Sequence, residues 1–223
     1  MNLAHKTTKV QIVGASGTGK SSFFLSYFLK AQHGQKFLFD HEGEFTQRIA
    51  MLLASRQMDS ESVAFCSTME ELTEGMKKPV VIFDPAEMFE GALPDAFDFF
   101  CDVVFTHAKE SDDAVERLFA CDELQNLIGT DVVTPYLAKV LETGRRYTLD
   151  WLGISQGLNV IHNRVRNQIT NLVVFRTTDE KPLETLEAKG FDRSEVMSLR
   201  DFNFLEKNLK TGEIVKGSFE RIA

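Results

Sequence analysis

Eight residues near the start of the chain constrain its fold more than any other segment. Residues 14–21 read Gly-Ala-Ser-Gly-Thr-Gly-Lys-Ser and fit the spacing G-x-x-x-x-G-K-[ST] at every position. An apolar run over 9–13 precedes them, and a helical pattern begins at Ser21. In such a strand–loop–helix the glycines let successive backbone N–H groups point at one centre, next to the positive end of the helix. The segment therefore predicts a triphosphate-binding loop, and a glycine turn without a ligand is the alternative.

Each residue type in this loop has a distinct predicted role. The Lys20 ammonium would bridge the β- and γ-phosphates, and the Ser21 hydroxyl would ligate Mg²⁺. ATP and Mg²⁺ are accordingly the expected cofactors. The predicted nucleotide contacts are the motif and the residue after it: Gly14, Ala15, Ser16, Gly17, Thr18, Gly19, Lys20, Ser21 and Ser22.

Short apolar runs alternate with helical patterns along the rest of the chain. This alternation predicts an α/β fold with a mostly parallel central sheet flanked by helices, and a C-terminal β-hairpin turning at Thr211-Gly212. We find no linker or repeat and expect one domain over 1–223. Strands are predicted at 9–13, 36–40, 62–65 (a possible edge), 79–84, 117–122, 149–155 and 171–175, helices at 21–31, 44–56, 94–106, 135–144, 163–168 and 181–189, and the hairpin within 202–219.

Composition limits the classes of function. The formal net charge of −8 argues against a generic nucleic-acid binder, although it leaves room for a motor that grips DNA with a few basic loops. No apolar run approaches the ~20 residues that cross a bilayer, and no signal-peptide pattern is present, so we expect no direct membrane span. The 19 phenylalanines predict a Phe-rich core. Three cysteines without C-x-x-C spacing predict buried, reduced thiols.

Two strand ends compete to supply the carboxylates that a P-loop hydrolase needs. Asp84 ends one apolar strand, but a lone acid there is more often a turn former or helix cap. Asp122 and Glu123 end the next strand as an adjacent pair. Asp122 would hold Mg²⁺ through water, while Glu123 would polarise the attacking water. The pair is preferred because ATPases need the second acid and kinases lack it.

Four segments, taken in order, resemble the FtsK–HerA superfamily of DNA-pumping ATPases, in the branch of small viral genome-packaging ATPases. The phosphate loop is the first. Residues 39–45, Phe-Asp-His-Glu-Gly-Glu-Phe, are similar to the Asp-x-x-Gly-Glu-aromatic segment after the second strand of HerA-like proteins. Residues 118–123 resemble their Walker B strand. Gly-Arg-Arg-Tyr at 144–147 and Leu-Gly-Ile-Ser-Gln at 152–156 resemble their Gly-Arg segment and sensor-glutamine strand.

This resemblance implies roles that the residues alone leave open. Gln156 would hydrogen-bond the γ-phosphate or its water, where an ordinary strand-end polar residue is the alternative. Arg146, or else Arg145, would be an arginine finger acting on the neighbouring subunit's nucleotide, where a pair satisfying the helix dipole is the alternative. A finger supplied in trans requires a homo-oligomeric ring, by resemblance a hexamer.

The family also implies an activity and its setting. The chain would package double-stranded viral DNA into a preformed capsid by ATP hydrolysis, as in tailless, membrane-containing icosahedral (tectivirus-like) viruses. It would work in the host cytoplasm and at the virion packaging vertex, beside vertex or membrane proteins. His162, Asn163, Arg164 and Arg166 follow the sensor strand, but a solvated face is favoured over DNA contact there.

Three other readings share parts of this pattern. A small-molecule or nucleoside kinase shares the phosphate loop, the size and the acidity, but not the acid pair or the Ser-Gln strand end. A HerA-like DNA-pumping ATPase outside packaging is another alternative. A GTPase switch lacks support because no Asn-Lys-x-Asp segment is present.

Overall fold

The computed structural model describes residues 7–55, 59–111 and 113–220. These residues pack into two compact units that interleave along the chain. The first unit contains Gln32–Asp122 and Thr134–Asp150, and the second contains Thr8–Ala31, Glu123–Val133 and 151–220. The expectation of one domain over the whole chain stays a prediction.

The described residues form nine strands and ten α-helices. The strands are β1 (Lys9–Val13), β2 (Gln35–Phe39), β3 (Val63–Cys66), β4 (Val80–Phe83), β5 (Arg117–Cys121), β6 (Leu149–Ser155), β7 (Asn171–Val174), β8 (Asn203–Asn208) and β9 (Ile214–Ser218). The helices are α1 (Lys20–Lys30), α2 (Glu44–Ala54), α3 (Met69–Gly75), α4 (Ala86–Phe89), α5 (Leu93–Glu110), α6 (Leu124–Leu127), α7 (Pro135–Thr143), α8 (Asn163–Arg166), α9 (Glu180–Ala188) and α10 (Arg193–Ser198).

The first unit holds four parallel strands in the order β3-β4-β2-β5. Phe39 pairs with Phe83 on one side and with Cys121 on the other, so β2, β4 and β5 end at the same level. Their carboxyl ends therefore lie side by side, with Asp40 following β2 and Asp122 following β5. Ligand sites of parallel α/β sheets form at such ends.

The second unit holds a mixed sheet. β1 lies between β6 and β7 and is parallel to both, with Val13 beside Ser155 and Val174. β8 adds antiparallel to β7, and β9 adds antiparallel to β8, which gives the predicted C-terminal hairpin. Gly212 takes a positive φ of 79° in the hairpin turn, as the Thr211-Gly212 prediction requires. The predicted α/β class with a mostly parallel sheet is confirmed.

Phenylalanine fills the interior of both units, as the composition predicts. The largest fully buried side chains include ten phenylalanines: Phe24, Phe28, Phe37, Phe39, Phe45, Phe83, Phe97, Phe100, Phe119 and Phe175. Several stack directly, as where the rings of Phe83 and Phe100 lie 4.9 Å apart on β4 and α5. Such offset and edge-to-face packing stabilises a core beyond its buried area.

All three cysteines are buried, which confirms their predicted position. Burial raises the pKa of the Cys101 and Cys121 thiols well above the ordinary range, and the nearby carboxylate of Asp122 adds to the effect on Cys121. The thiols therefore stay protonated and pack as small apolar side chains.

Predicted strand boundaries agree with the structure to within one residue. The largest helix error is at α5, which continues to Glu110 rather than to 106 because Ala108 extends its buried face. The helix predicted over 44–56 ends earlier, at Ala54, because Ser55 lies in a turn, and Arg56 lies outside the described residues.

Helices α3, α4, α6 and α10 are not among those predicted from the sequence. A capping box begins α3, in which Thr68 Oγ1 accepts the Glu71 backbone N–H and Glu71 accepts the Thr68 N–H. The Thr-x-x-Glu pattern is the signal that could have revealed this helix. Among the described residues, no helix combines the length and apolar character needed to span a membrane.

Candidate active site

The predicted phosphate loop connects β1 to α1 in the second unit. Gly14 has a φ of 146°, and a Cβ there would lie 2.7 Å from the Phe175 Cβ, so glycine is required on both conformational and steric grounds. The Ala15 N–H donates to the Arg176 carbonyl at 2.8 Å, which ties the loop to the chain beyond β7. The predicted strand–loop–helix is therefore present.

Hydrogen bonds inside the loop converge on one carbonyl. The Thr18 hydroxyl and the Lys20 ammonium each donate to the Ala15 carbonyl oxygen at 2.8 Å. Lys20 is only 7% exposed, so its ammonium is held within the curve of the loop. A phosphate oxygen is a stronger partner for that ammonium than a neutral carbonyl, because the hydrogen bond is then charge-assisted on both sides.

The loop also has room for a ligand. A Cβ at Gly17 would meet no atom within 4 Å, and Ser16 and Gly17 are exposed. Ser21 and Ser22 are partly exposed in the first turn of α1, with their backbone N–H groups at its positive end. These residues fit a triphosphate, and the Mg²⁺ role of Ser21 stays a prediction.

The two predicted acids follow β5 in immediate succession. Asp122 is 5% exposed. Glu123 begins α6 with a φ of 46°, a left-handed conformation that costs a non-glycine residue about 1–3 kcal/mol. Such strain concentrates at functional sites. The strained Glu123 directly follows the buried Asp122, which favours a functional role for this pair of acids.

A residue absent from the sequence analysis joins two predicted ones. The Gln125 side-chain amide donates to the Glu123 carboxylate, and its carbonyl oxygen accepts the Gln156 backbone N–H over 3.4 Å. All three residues lie in the second unit. Gln125 was missed because no motif includes it, although it follows the acid pair by two residues.

Gln156 itself extends beyond the end of β6 with its side chain exposed. Beneath it, the buried Ser155 hydroxyl accepts from Gln11 Nε2 and donates to the Gly157 carbonyl, both at 3.1 Å. The strand end is therefore fixed by buried hydrogen bonds while the glutamine side chain projects into solvent. That arrangement suits a side chain that contacts a ligand.

No protein-family model matches the sequence, and no curated protein matches it. Solved structures do match over nearly the whole chain. The genome-packaging NTPase B204 of Sulfolobus turreted icosahedral virus 2, in complex with ATP-γ-S, gives a TM-score of 0.71 at 17% identity, covering 97% of this chain and 98% of that one. The bacterial conjugative coupling protein TrwBdeltaN70, unbound, gives 0.66 at 14% identity, covering 96% and 85%.

This chain has a P-loop NTPase fold. At these identities the similarity establishes the fold, and it confirms the fold that the sequence resemblance implies. The coupling protein TrwB in complex with a non-hydrolysable GTP analogue also matches, with a TM-score of 0.64 at 13% identity, covering 96% of this chain and 86% of that one.

Arg145 and Arg146 lie in the first unit, in a 3₁₀ turn, Gly144–Tyr147, directly after α7. Both side chains are exposed. Exposure suits a finger offered to another subunit, and it equally suits a pair near the negative end of α7. The roles of both arginines stay predictions.

The other strand-end acid, Asp84, forms a local turn in which its carboxylate accepts the Ala86 N–H at 3.0 Å. This is the turn-forming role that a lone acid at a strand end most often has.

The residues weighed for DNA contact lie in and beside α8. His162 Nδ1 accepts the Arg164 N–H at 3.0 Å and so caps the helix, while Arg166 pairs with Asn163. Asn163 and Arg164 are exposed. The arrangement is that of a solvated helical turn with its own internal bonds, and DNA contact there remains untested.

The Asp40 carboxylate, within the segment that resembles HerA-like proteins, bonds to the first turn of α2. Its Oδ2 accepts the Thr46 N–H at 2.6 Å and the Thr46 hydroxyl at 2.7 Å. Asp40 is 1% exposed, and its Oδ1 is buried without a hydrogen-bond partner in the described part of the chain. An unpaired carboxylate oxygen in the residue beside Asp122 marks this strand end as a place to test for function.

Proposed function

We propose that this chain is an ATPase subunit that moves double-stranded DNA, and that it packages a viral genome into a preformed capsid. The complete phosphate loop supports this most directly, because Lys20 lies inside a glycine-shaped backbone curve at the start of α1. The fold, shared with a viral genome-packaging NTPase over 97% of the chain, supports the packaging assignment.

The proposed chemistry divides among the residues described. The loop N–H groups and Lys20 bind and orient the β- and γ-phosphates of ATP. Ser21 would ligate Mg²⁺ and Asp122 would hold it through water, and the bound ion would supply positive charge to the phosphoryl group. Glu123 polarises the attacking water and receives its proton, while the Gln156 amide hydrogen-bonds the γ-phosphate or that water. Gln125 orients Glu123 through the bond between their side chains.

We further propose that the subunits form a homo-oligomeric ring, a hexamer in the simplest reading. Arg146, or Arg145 in its place, would reach the nucleotide of the neighbouring subunit from the exposed turn after α7. The ring would act on double-stranded DNA in the host cytoplasm and at the virion packaging vertex, with vertex or membrane proteins as partners. A HerA-like pump outside packaging is the second form of the same proposal.

Glu123→Gln tests the hydrolytic role. Glutamine keeps the size and the hydrogen bonding but cannot take a proton, so turnover should fall by at least ~10²-fold while ATP still binds. Single-turnover hydrolysis and equilibrium binding of ATP-γ-S measure the two effects. Glu116→Gln, on a strand-flanking acid of the first unit, is the matched control. Near-normal turnover of Glu123→Gln would show that Glu123 is not the acid that activates the attacking water.

ATP turnover with and without double-stranded DNA tests the motor. A translocase couples hydrolysis to its track, so DNA should raise kcat severalfold, and raised salt should reduce the effect. Stimulation by a small phosphate acceptor instead of DNA would identify a kinase.

Subunit mixing tests the finger in trans. Arg146→Ala subunits should regain turnover when they assemble with Lys20→Ala subunits, because each kind supplies the group that the other lacks. An absence of rescue at every ratio, from subunits shown to co-assemble, would exclude this geometry.

A further inference from the structure

The C-terminal hairpin of the second unit is bonded to the phosphate loop. The Phe202 N–H donates to the Thr18 carbonyl oxygen at 2.9 Å, and the Phe202 carbonyl accepts the Phe219 N–H at 3.2 Å. These two residues flank β8 and β9, so both ends of the hairpin meet at this point. The loop backbone at Thr18 is therefore tied to a residue 184 positions later in the sequence.

The rings of the same two residues cover the glycine before Lys20. A Cβ at Gly19 would lie 2.9 Å from Phe202 Cδ1 and 3.3 Å from Phe219 Cζ. Gly19 has a φ of 108°, a conformation that side chains rarely adopt. The rings thus pack against a part of the loop whose backbone conformation only glycine adopts readily.

Phe202 itself is held in an unfavourable conformation, with a φ of 63°. A bulky residue in the left-handed region persists only where its surroundings determine it. The surroundings here are the Thr18 carbonyl, Gly19 and the Phe219 ring, whose centroid lies 5.6 Å from that of Phe202. The strain indicates that contact with the loop outweighs the local cost.

A cluster of rings ties the hairpin to the first turn of α1 as well. The Phe23 ring, one turn after Lys20, lies 4.7 Å from Phe204, 5.4 Å from Phe219 and 5.7 Å from Phe175. The Phe175 Cβ also packs against Gly14 at the start of the loop. One aromatic cluster therefore contacts the beginning of the loop, its end and the helix that follows.

We propose that the hairpin is part of the nucleotide site, with Phe202 as a positioning residue that Phe219 supports. Phe202 fixes the Thr18–Gly19 backbone in the shape that presents N–H groups to phosphate. This inference rests on the proposed function in requiring that the loop bind a polyphosphate. By linkage, a bound polyphosphate must stabilise the Phe202 contact to the same extent that the contact favours binding.

The test compares two substitutions of Phe202 in the full chain. Phe202→Ala removes the ring and keeps the N–H, and Phe202→Gly does the same while also accepting the positive φ. Both should raise the Kd for ATP-γ-S and for inorganic tripolyphosphate about tenfold, because the loop must then be ordered on binding. At saturating Mg²⁺-ATP, kcat should fall less than threefold.

Phe191→Ala is the matched control. Phe191 is a buried phenylalanine of the same unit, whose ring faces Lys207. Phe191→Ala should lower the thermal unfolding midpoint as Phe202→Ala does. The Kd values for ATP-γ-S and tripolyphosphate should nevertheless stay within twofold of those of the unsubstituted chain. If a Phe202 variant is too unstable to purify, Phe202→Leu keeps apolar bulk and should give an intermediate Kd.

Hydrogen exchange supplies a readout that a purely structural role would not move. Tripolyphosphate should slow exchange of the Phe202 amide in the unsubstituted chain. Wild-type Kd values in Phe202→Gly, or no change in Phe202 exchange, would overturn the inference. Tripolyphosphate binding without ATP hydrolysis would refute the proposed function and leave the inference intact, whereas binding of neither ligand would refute both.

Discussion

Each unit buries a cation, but the two are held by different kinds of partner. In the first unit, the Arg117 guanidinium donates to both carboxylate oxygens of Asp113 at 2.8 and 2.9 Å and to Gln35 Oε1 at 3.3 Å. In the second, Lys20 and Thr18 both bond a backbone carbonyl of the phosphate loop.

This difference separates a structural site from a binding site. The Arg117 network is built mainly on side chains, with Arg117 in β5, Gln35 in β2 and Asp113 in the connection before β5, and the ion pair with Asp113 neutralises the guanidinium charge. The phosphate loop consists of backbone whose shape depends on glycines and on the hairpin packed against it. We therefore expect changes in the network to alter stability, and changes in the loop to alter ligand binding.

Lys20→Ala should have the largest effect. Removing the ammonium that pairs with the β- and γ-phosphates should lower ATP turnover by at least ~10³-fold, because transferred phosphoryl charge is then uncompensated. Steady-state hydrolysis measures this, and Lys30→Ala at the exposed end of α1 is the control. A smaller change in kcat/KM than that given by Arg117→Ala would contradict the division between the two regions.

Arg117→Ala should show the reverse pattern. Arg117 is 2% exposed and also donates to the Val115 carbonyl at 3.0 Å, so the substitution leaves a cavity and removes the donor that Val115, Asp113 and Gln35 share. The free energy of unfolding should fall by about 1–3 kcal/mol, as measured by urea titration. The Kd for ATP-γ-S should stay within twofold. Weakened binding would show that the network affects the site.

Asp40→Ala should give a moderate loss of stability. It removes the two hydrogen bonds that the carboxylate accepts from Thr46 at the start of α2. Losing side-chain bonds to the first turn of a helix costs about 1–2 kcal/mol, which urea titration resolves. Asp40→Asn keeps one acceptor and should recover most of it. A fall in turnover of Asp40→Asn, at unchanged stability, would move this residue from the structural class to the functional one.

His107 should contribute the smallest effect, as a pH dependence of stability. Burial, and then the Arg117 guanidinium, lower the pKa of His107, while Asp113 partly opposes them. The unfolded chain then binds the proton more readily, so stability should decline as pH falls through about 6.5, the ordinary histidine value. His107→Gln should flatten the urea midpoint between pH 7.5 and 5.5. If the urea midpoint of His107→Gln depends on pH as steeply as that of the unsubstituted chain, another titratable group causes the dependence.

The sequence predicted most of the elements because their signals are local. The phosphate loop lies where its spacing indicates, and Gln156 follows a strand whose bounds, Leu149–Ser155, are as predicted. Two contacts had no such signal. Gln125 contacts Gln156 only because the fold brings their two segments together. Phe202 bonds to Thr18 from a left-handed backbone conformation, which the preferences of phenylalanine do not predict.

Glu123 combines two demands that an experiment could separate. At a φ of 46°, glycine or asparagine would rest more comfortably than glutamate. Variants selected for folding alone should therefore enrich glycine or asparagine at this position, while variants selected for ATP-dependent activity should retain glutamate. The amino-acid preferences at position 123 would then differ between the two selections. The size of that difference would measure how much stability the chain gives up to keep a glutamate there for hydrolysis.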